Sequence, residues 1–367
     1  MEKVLVGMSG GVDSAVTAYL MKLAGYEVIG ITLKTWLNED GTDSRCCEID
    51  DARAAAIALD IPYYVRSCTE EFDERVVRPF IDEYISGRTP NPCVGCNRNI
   101  KWKKMLEAAN DMNARYIATG HYATVLELEN GRYSVKKATH EAKDQTYMLY
   151  RLTQEQLSRT IMPLGRLSKD EVRDIARKAH IPVAEKPDSQ EICFVKDDDY
   201  AAFIEEHAQR ELPPEGDFVD PDGRILGKHS GIHHYTIGQR KGLGIALGYP
   251  AFVRKISPDD NTVTLDTNES LFSDEIIIND INYMGIPPLE QGESIRADVK
   301  IRYQHKPAPA AIERVMSSDD ASLLVRFDEP VRAATPGQAV VAYDENGCVL
   351  CGGTILHTSG GRDNEKI

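Results

Sequence analysis

The 367-residue sequence has no run of apolar residues that approaches the ~20 needed to span a bilayer as a helix. It is poor in aromatic residues, at 7%, and basic residues are outnumbered, with 43 Lys and Arg against 58 Asp and Glu. The resulting net charge of −15 argues against general affinity for nucleic acids. The first residues are charged and then strand-like, which leaves no room for a signal peptide. We therefore expect a cytoplasmic protein with no membrane segment and about two or three domains.

Two stretches contain no acidic residue, against the overall charge. Residues 88–106 carry five Lys or Arg, and residues 224–258 carry six together with three histidines. Basic windows in an acidic protein indicate local surfaces that contact phosphate. An uneven distribution of solvated charge is the alternative. For His229, His233 and His234, contact with RNA or simple exposure in a loop is favoured over a metal site.

The eight cysteines of a chain expected in the cytosol indicate catalytic, metal-binding or structural thiols rather than a disulfide framework. Cys348 and Cys351 form a CxxC pair that could complete a zinc site with Cys93 and Cys96, but a gap of roughly 250 residues is unlike that of zinc ribbons. Strand residues of a last β domain are the favoured interpretation of this second pair. Three more cysteines are expected to be structural or, at most, regulatory: Cys46, Cys47 and Cys68.

The most informative motif is the loop at residues 7–14, between a strand pattern at 3–6 and a helical pattern at 12–24. A Gly-rich turn at a helix N-terminus presents free N–H groups and the positive end of the helix dipole to an anion. The hydroxyls of Ser9 and Ser14 can add hydrogen bonds. The loop lacks the lysine of a Walker A motif and the spacing of a dinucleotide fingerprint. Its SGGxDS pattern resembles the PP-loop of the ATP pyrophosphatases, which hold the pyrophosphate of ATP and adenylate an oxygen of a second substrate.

The first ~120 residues alternate strand and helix patterns, which predicts a parallel sheet with helices on both faces. Strands are predicted at 3–6, 27–33, 63–65 and 116–118, and helices at 12–24, 49–59, 70–85 and 97–110. Ligands of such sheets bind at the carboxyl ends of the strands. The loop at 7–14, Leu33 and the pair Gly120-His121 are therefore expected around one crevice.

The remainder of the chain changes character twice. Residues 143–207 look mainly helical, and after the Pro-rich segment 212–216 short strand patterns recur between turns, which predicts a small β-rich domain and then a β-barrel. The fold class is thus α/β, with a Rossmann-like N-terminal domain and helical extension at 1–208, a central β-rich domain at 209–280 and a C-terminal β-barrel at 281–367. The tail at 359–367 is expected to be loose.

Residues 89–97, TPNPCVGCN, carry the most informative cysteines. Two prolines make a stiff, extended approach, and Asn97 is predicted to open a helix. Cys96 would then lie next to a helix N-terminus beside Arg98, a setting that lowers a thiol pKa and favours a reactive thiolate. A buried cysteine acting as a small hydrophobe is the alternative, and it is the favoured interpretation of Cys193 taken alone.

Six motifs lie along the chain in a fixed order: SGGVDS at 9–14, NPCVGCN at 91–97, ATGHY at 118–122, KDQ at 143–145, DSQEICF at 188–194 and GQRKGL at 238–243. Together they resemble the tRNA-specific 2-thiouridylase (MnmA/TrmU) family over essentially the whole length. Several independent motifs in one order are far more specific than any one of them.

The resemblance implies ATP-dependent 2-thiolation of the wobble uridine of tRNA, in which ATP activates the C2 oxygen and a protein persulfide displaces AMP. This is chemically reasonable, because a carbonyl oxygen leaves poorly until it is adenylated and a thiolate is a good nucleophile. By matched position, Cys96 is the nucleophile, Cys193 carries the persulfide, and the two form a redox-dependent disulfide. The implied ATP-binding residues are Gly7, Met8, Ser9, Gly10, Gly11, Val12, Asp13, Ser14, Leu33 and Gly120. The implied contacts with tRNA or its target base are Asn91, Pro92, Cys93, His121, Lys143, Asp144, Gln145, Arg302, Tyr303 and Gln338.

The resemblance also implies partners and cofactors. A helical tRNA-binding region from about residue 143 and the basic windows would hold the anticodon loop, with the base out of its stack. Mg²⁺ is expected to accompany ATP, with Asp13 as its neighbour, and a cysteine desulfurase or sulfur-relay protein is expected to supply sulfur to a monomer. One familiar form of the family has Asp where this chain has Cys93. Three thiolates, Cys93, Cys96 and Cys193, are therefore an alternative site for a [4Fe–4S] cluster that delivers sulfide.

Two functions of other classes stay open. A PP-loop synthetase that acts on a small molecule, such as argininosuccinate or GMP synthetase, would need neither Cys96 nor Cys193. A non-catalytic RNA-binding or redox protein could keep the loop as a relic, but the intact SGGxDS motif disfavours it.

Overall fold

The computed structural model describes residues 1–37, 48–187, 192–316 and 321–359. Cys46, Cys47, residues 188–191 of the DSQEICF motif and the tail from residue 360 lie outside the described residues. The helices are α1 (Val12–Leu23), α2 (Ile49–Ala58), α3 (Thr69–Phe72), α4 (Arg78–Ile85), α5 (Pro92–Cys96), α6 (Lys103–Asp111), α7 (Gln154–Ser158), α8 (Lys169–Lys178) and α9 (Tyr200–His207). The strands are β1 (Lys3–Gly7), β2 (Glu27–Lys34), β3 (Tyr63–Ser67), β4 (Tyr116–Ala118), β5 (Ala123–Glu127), β6 (Tyr133–Lys137), β7 (Thr160–Ile161), β8 (Gly216–Val219), β9 (Ile225–His229), β10 (Phe252–Ser257), β11 (Thr262–Asp266), β12 (Phe272–Tyr283), β13 (Ser294–Lys300), β14 (Ala308–Met316), β15 (Ala321–Arg332), β16 (Ala339–Tyr343) and β17 (Val349–Ser359).

The N-terminal sheet is parallel and has the strand order β3-β2-β1-β4-β7. Its central strand β1 is fully buried at Val4, Leu5 and Val6, as expected for a strand covered by helices on both faces. The chain order runs outward from β1 to β3 and then returns to place β4 on the other side of β1. The sheet therefore has a topological switch point between β1 and β4, where the crevice of such folds lies.

The segment predicted to be mainly helical is more mixed than expected. Within residues 143–207, α7, α8 and α9 are separated by loops and short 3₁₀ turns, and β7 adds the fifth strand to the sheet by pairing with β4. A two-residue strand is too short to show an alternating pattern, so periodicity could not reveal it. The hairpin β5–β6, which follows the ATGHY motif, was also not predicted.

The β-rich remainder forms two units, as predicted. Strands β10-β11-β8-β9 make a four-stranded sheet, and β12-β15-β14-β13-β16-β17 close into a barrel. The predicted domain boundary at residue 280 falls inside β12, which begins the barrel at Phe272. Pro287 and Pro288 follow the first barrel strand and lie in its connection to β13. No helix of the described residues is long and apolar enough to cross a membrane.

The barrel is attached to the N-terminal unit through a shared apolar core. Tyr147, Tyr150, Tyr343 and Val349 are at most 1% exposed and belong to one buried cluster. Each of the first two tyrosines also donates a hydrogen bond to a barrel carbonyl, from Tyr147 Oη to Ala339 O at 2.8 Å and from Tyr150 Oη to Gly353 O at 3.1 Å. Buried aromatics with satisfied hydroxyls give an attachment that is both apolar and directional.

Substitution of Gly352 tests the packing between the barrel and the N-terminal unit. A Cβ at this position would overlap the Tyr150 ring and lie 2.6 Å from Val340 O, so we expect Gly352→Ala to cost about 1–3 kcal/mol by overpacking. The midpoint of thermal unfolding should fall relative to the wild type. Gly95→Ala is the control, because a Cβ there meets nothing closer than 4.0 Å. Equal midpoints for the two variants would contradict the proposed packing.

Candidate active site

The Gly-rich loop lies at the carboxyl edge of the sheet, between β1 and α1. Gly10 has φ +85°, and a Cβ on it would lie 2.5 Å from the carbonyl oxygen of Glu48, so the position requires glycine. Ser14 Oγ accepts a hydrogen bond from the Ser9 N–H at 3.1 Å and donates one to Gly11 O at 2.9 Å. The loop is thus shaped by its own hydroxyls around the N-terminus of α1, as an anion site needs.

Two predicted partners of the loop lie beside it. A Cβ on Gly120, which follows β4, would lie 2.8 Å from Asp13 C and 2.9 Å from Ser14 N, so the two backbones are in direct contact. Leu33, near the end of β2, packs against both the sheet core and the cysteine cluster described below. The structure therefore brings the loop, Gly120 and Leu33 to one edge of the sheet.

Asp13 has partners that the sequence did not reveal. Lys169 Nζ donates to both of its carboxylate oxygens, at 2.8 and 2.9 Å, and Tyr122 Oη donates to one of them at 2.8 Å. Lys169 opens α8, whose capping box between Ser168 and Glu171 was the available signal for a helix start here. The role of Asp13 as a neighbour of Mg²⁺ stays a prediction, and in this structure its carboxylate is held by Lys169 and Tyr122.

The cysteine-bearing helix begins earlier than predicted. The prediction that Asn97 opens it is wrong, because α5 starts at Pro92 and continues through a π-helical turn, Asn97–Trp102, into α6. Asn91 is the N-cap, with its side-chain oxygen accepting from the Cys93 N–H at 3.2 Å, and proline is well suited to the first helical position. Cys93 is therefore in the first turn, and Cys96 lies one turn further along the same side of the helix.

Cys96 and Cys193 belong to one apolar cluster, here called the cysteine cluster. Its described members include Cys68 and Cys96, which are buried, and Cys193, which is partly buried at its edge. Phe194 anchors the Cys193 segment there, with ring centroids 5.6 Å from Phe72 and 5.3 Å from Phe80. The two cysteines predicted to act together are thus brought to the same place by tertiary packing.

None of the six described cysteines forms a disulfide, so the redox-dependent Cys96–Cys193 bond stays a prediction. Burial raises the pKa of Cys68 to about 11, which makes this thiol unreactive near neutral pH. Cys348 and Cys351 are buried at the start of β17, and Cys351 is fully enclosed in the barrel core. Cys351 is a strand residue of the last β unit, as predicted, whereas Cys348 immediately precedes β17 and forms an isolated β-bridge with Lys136.

The barrel approaches the cysteine helix directly. Gln338 Nε2 donates to Thr89 O at 2.8 Å, and the Thr89 N–H donates to Pro336 O at 3.0 Å. Tyr303 packs against the buried cluster that contains Val94 of the cysteine helix, and burial, followed by the charges of Asp144 and Cys93, raises the pKa of its hydroxyl. The barrel thus contributes side chains to the neighbourhood of the cysteines.

Residues of the KDQ motif at 143–145 form internal hydrogen bonds that support the site. Asp144 is buried and accepts hydrogen bonds from the Ala138 N–H at 3.0 Å and from Thr146 Oγ1 at 2.8 Å. Gln145 Oε1 accepts from the Tyr122 N–H at 2.9 Å, whereas Lys143 is only partly buried. Contact of these three residues with tRNA stays a prediction, and the structure adds a bracing function for two of them.

Arg302 is likewise engaged inside the protein. Its guanidinium donates to Ile237 O at 2.9 Å and to Thr335 Oγ1 at 2.5 Å, and burial lowers its pKa. It therefore joins the central β unit to the barrel. Its predicted contact with tRNA is untested.

The basic windows look different once folded. In the first, Arg88 pairs with Glu83, and Lys104 pairs with Glu71 at 2.6 Å. In the second, Arg254 lies 3.4 Å from Asp266. Acidic residues from outside the two windows thus neutralise several of these cations. The lack of acidic residues within each window therefore led to an overestimate of the basic surface. Arg240 remains at the rim of an open depression formed by residues 240–251.

The histidines of the second window are mostly internal. His229 and His233 are each 2% exposed, so their predicted contact with RNA or exposure in a loop is wrong. His229 has both ring nitrogens satisfied, by Asn261 O and by the Gly231 N–H, each at 3.1 Å. It is a structural residue, because strand β9 carries it into the core of the central unit.

His121 is a neutral group at the site. Its Nδ1 lies 3.0 Å from Thr119 Oγ1, and its ring centroid lies 5.3 Å from that of Trp102. Although part of the residue is exposed, desolvation of the ring and the nearby charge of Lys101 lower the pKa of His121 to about 3. The imidazole can therefore donate or accept a hydrogen bond at neutral pH but cannot act as a cationic acid.

The shift of His121 gives a pH dependence of stability. The unfolded chain binds a proton at this residue below about pH 6.5, and the folded protein does not until pH approaches 3, so stability falls on acidification by up to about 1.4 kcal/mol per pH unit. We expect the wild type to lose more thermal stability than His121→Gln between pH 7 and 5. Parallel losses for the two proteins would show that the folded ring titrates normally.

Substitution of Gly120 tests the backbone contact between this residue and the Gly-rich loop at 7–14. Gly120→Ala should push the backbone of Asp13 and Ser14 by several tenths of an ångström, since its Cβ would lie within 3.0 Å of three backbone atoms. We expect ATP affinity to fall by about 10- to 100-fold. Calorimetric titration with ATP measures this, and retained tRNA binding shows that the variant is folded.

The sheet, the loop at its switch point and the adjoining thiols define a PP-loop nucleotide-binding protein with a cysteine site. The family models agree along the chain: the tRNA methyl transferase HUP domain matches residues 2–197, the tRNA methyl transferase PRC-barrel domain matches 201–266, and the aminomethyltransferase beta-barrel domain matches 273–355. Curated relatives match the full length. The chain is 52% identical to the tRNA-specific 2-thiouridylase MnmA of Lachnoclostridium phytofermentans, over 97% of this chain and 100% of the relative.

It is also 50% identical to the protein of that name from Clostridioides difficile, over 98% of this chain and 99% of the relative. The chain belongs to the tRNA-specific 2-thiouridylase family. Among solved structures, the U34-tRNA thiolase NcsA from Methanococcus maripaludis with its [4Fe-4S] cluster matches 52% of this chain and 60% of its own, at 20% identity and a TM-score of 0.35. A likeness at that level carries no inference about the site.

Proposed function

We propose that this protein catalyses ATP-dependent formation of 2-thiouridine at the wobble position of tRNA. One observation carries the proposal: the loop at 7–14 lies at the carboxyl edge of the sheet, and Leu33, near the end of the neighbouring strand β2 at that edge, packs against the cysteine cluster. The names of the family models refer to methyl transfer, whereas the names of the relatives refer to thiolation. A PP-loop and paired thiols serve thiolation, because methyl transfer requires neither adenylation nor a sulfur carrier.

The first step is adenylation of the substrate. The C2 oxygen of the uridine attacks the α-phosphorus of ATP, and pyrophosphate leaves. The loop N–H groups at the start of α1 hold the phosphates, and the Lys169 ammonium beside Asp13 adds positive charge at that end. Magnesium would enter with the nucleotide and be held mainly by phosphate oxygens.

The second step replaces oxygen by sulfur. The terminal sulfur of a Cys193 persulfide attacks C2 and expels AMP, which leaves the base joined to Cys193 through a disulfide. The Cys96 thiolate then attacks the Cys193 sulfur, so that 2-thiouridine leaves and a Cys96–Cys193 disulfide forms. An external reductant must reduce this disulfide, and a cysteine desulfurase or sulfur-relay protein must reload Cys193.

The target base would be held between the two fold units. Asn91, Pro92 and Cys93 lie at the start of the cysteine helix, and Tyr303 packs against the same buried cluster as Val94 of that helix. An aromatic face at this place suits an unstacked base. His121, Lys143, Arg302 and Gln338 would contribute to the tRNA surface around it, and the protein would act as a monomer.

Cysteine variants separate the two half-reactions. We expect Cys193→Ser and Cys96→Ser to lower 2-thiouridine formation at least about 1000-fold, since each removes a nucleophile. The tRNA-dependent exchange of pyrophosphate into ATP should stay within a few-fold of the wild type. Nucleoside analysis by mass spectrometry measures the product, and isotope exchange measures adenylation.

Cys68→Ala is the matched control. It lies in the same cluster, and the raised pKa of its thiol excludes it from nucleophilic chemistry. Its thiolation rate should stay near that of the wild type. Full activity in Cys193→Ser would contradict the persulfide assignment, and full adenylation of a small molecule without tRNA would favour a synthetase.

The iron–sulfur alternative has a separate test. Cys93 and Cys96 share one side of a helix, but the comparisons do not favour a cluster in this family. Protein purified without oxygen should contain no stoichiometric iron and should thiolate tRNA when supplied with a sulfur donor. About four irons per chain that disappear in Cys93→Ala would favour the cluster instead.

A further inference from the structure

Three side chains outside the site of thiolation converge at the joint between α9 and the central β unit. Glu205 lies on α9, and His233 and His234 lie in a short 3₁₀ turn, Ile232–His234, that follows β9. One ligand atom from each residue lies within 4.8 Å of the other two. Among the residues that the structure describes, no other three His, Cys, Asp or Glu side chains are so arranged.

The burial of His233 makes this group more than a surface ion pair. Its side chain is 2% exposed, and within the described ranges neither ring nitrogen has a hydrogen-bond partner. A buried polar atom without a partner destabilises the folded state, because it loses its hydrogen bonds to water. His229, four residues earlier, has both nitrogens satisfied, so His233 is distinguished from its neighbour by an unused donor atom.

The distances suit a small transition-metal ion. His234 Nε2 lies 3.1 Å and His233 Nε2 lies 3.7 Å from the same carboxylate oxygen of Glu205. Ligand atoms at about 2.0–2.2 Å from a tetrahedral zinc ion lie roughly 3.3–3.6 Å from one another, so small rotations of the side chains would complete three corners. Glu205 is 49% exposed, which leaves the fourth corner open to water.

We propose that Glu205, His233 and His234 bind one Zn²⁺ ion, which fastens α9 to the central β unit. Two neutral imidazoles and one carboxylate are a common zinc donor set. Both ring nitrogens of the buried His233 lack a hydrogen-bond partner among the described residues, which leaves Nε2 available as a ligand. The backbone of the turn is already held, since Tyr200 Oη donates to His234 O at 2.9 Å.

Metal titration of the full-length protein tests the proposal without reference to activity. Metal-free wild type should bind one equivalent of Zn²⁺ by calorimetry, and Zn²⁺ should raise its midpoint of thermal unfolding. Glu205→Gln and His234→Asn should each weaken binding at least about 100-fold. Both variants keep the buried His233, and unchanged unfolding midpoints without metal show that they fold.

Glu206→Gln is the matched control, because it removes the same charge from the next position of α9. Glu206 lies 3.8 Å from the adjacent His207 and is not part of the group. Its zinc affinity should equal that of the wild type. Equal affinity in Glu205→Gln and Glu206→Gln, or no stoichiometric binding by the wild type, would overturn the proposal. So would a Co²⁺ complex whose spectrum shows thiolate charge transfer, because the metal would then be held by cysteines.

Discussion

The cysteine helix depends on a contact made from far along the chain. Thr89, just before the helix, exchanges hydrogen bonds with the barrel turn through the Pro336 carbonyl and the Gln338 amide. Gly337 permits this approach, since it has φ +90° and a Cβ there would lie 3.1 Å from the Thr89 nitrogen. The docked barrel therefore helps to position the start of the helix, together with the hydrogen bond from Asn97 to Met148 O. This explains why a unit without evident chemistry of its own belongs to the active site.

The site has a polar half, formed by the Gly-rich loop, and an apolar half, formed by the cysteine cluster. The loop half has hydroxyls, backbone N–H groups and the Lys169 ammonium, which suit phosphate. The thiol half is lined by aromatic rings, and exclusion of water there would protect an adenylate from hydrolysis before sulfur arrives. Cys68 shows what burial alone does to a thiol in this cluster, because it raises the pKa to about 11. Cys193, the proposed carrier of sulfur, is less enclosed than Cys68, because it lies at the edge of the cluster.

Local patterns predicted the fold well where one element decides its own structure. The strand, loop and helix at residues 3–23 were predicted because glycine and apolar spacing act within a few residues of each other. The start of the cysteine helix was placed too late, because Pro92 was interpreted as part of an extended approach although proline is favoured at a first helical position. The ion pair of Asp13 with Lys169 and the contact of Thr89 with Gln338 join residues 156 and 249 positions apart. No local pattern records such pairs, and they are what completes the site.

The lack of a local signal also explains why the environments of the three histidines could not be predicted. In the sequence, His229, His233 and His234 share one basic, Gly-rich window and cannot be told apart by their neighbours. Folding gives each a different environment. His229 is satisfied within β9, His233 is buried with no hydrogen-bond partner among the described residues, and His234 meets Glu205 of α9. Since α9 follows Cys193 closely, whatever holds α9 in place also fixes one end of the segment that contains this proposed sulfur carrier. A fixed α9 and a partly exposed Cys193 thiol just before it are compatible. A segment that carries sulfur needs one fixed end if its thiol is to return to the same base.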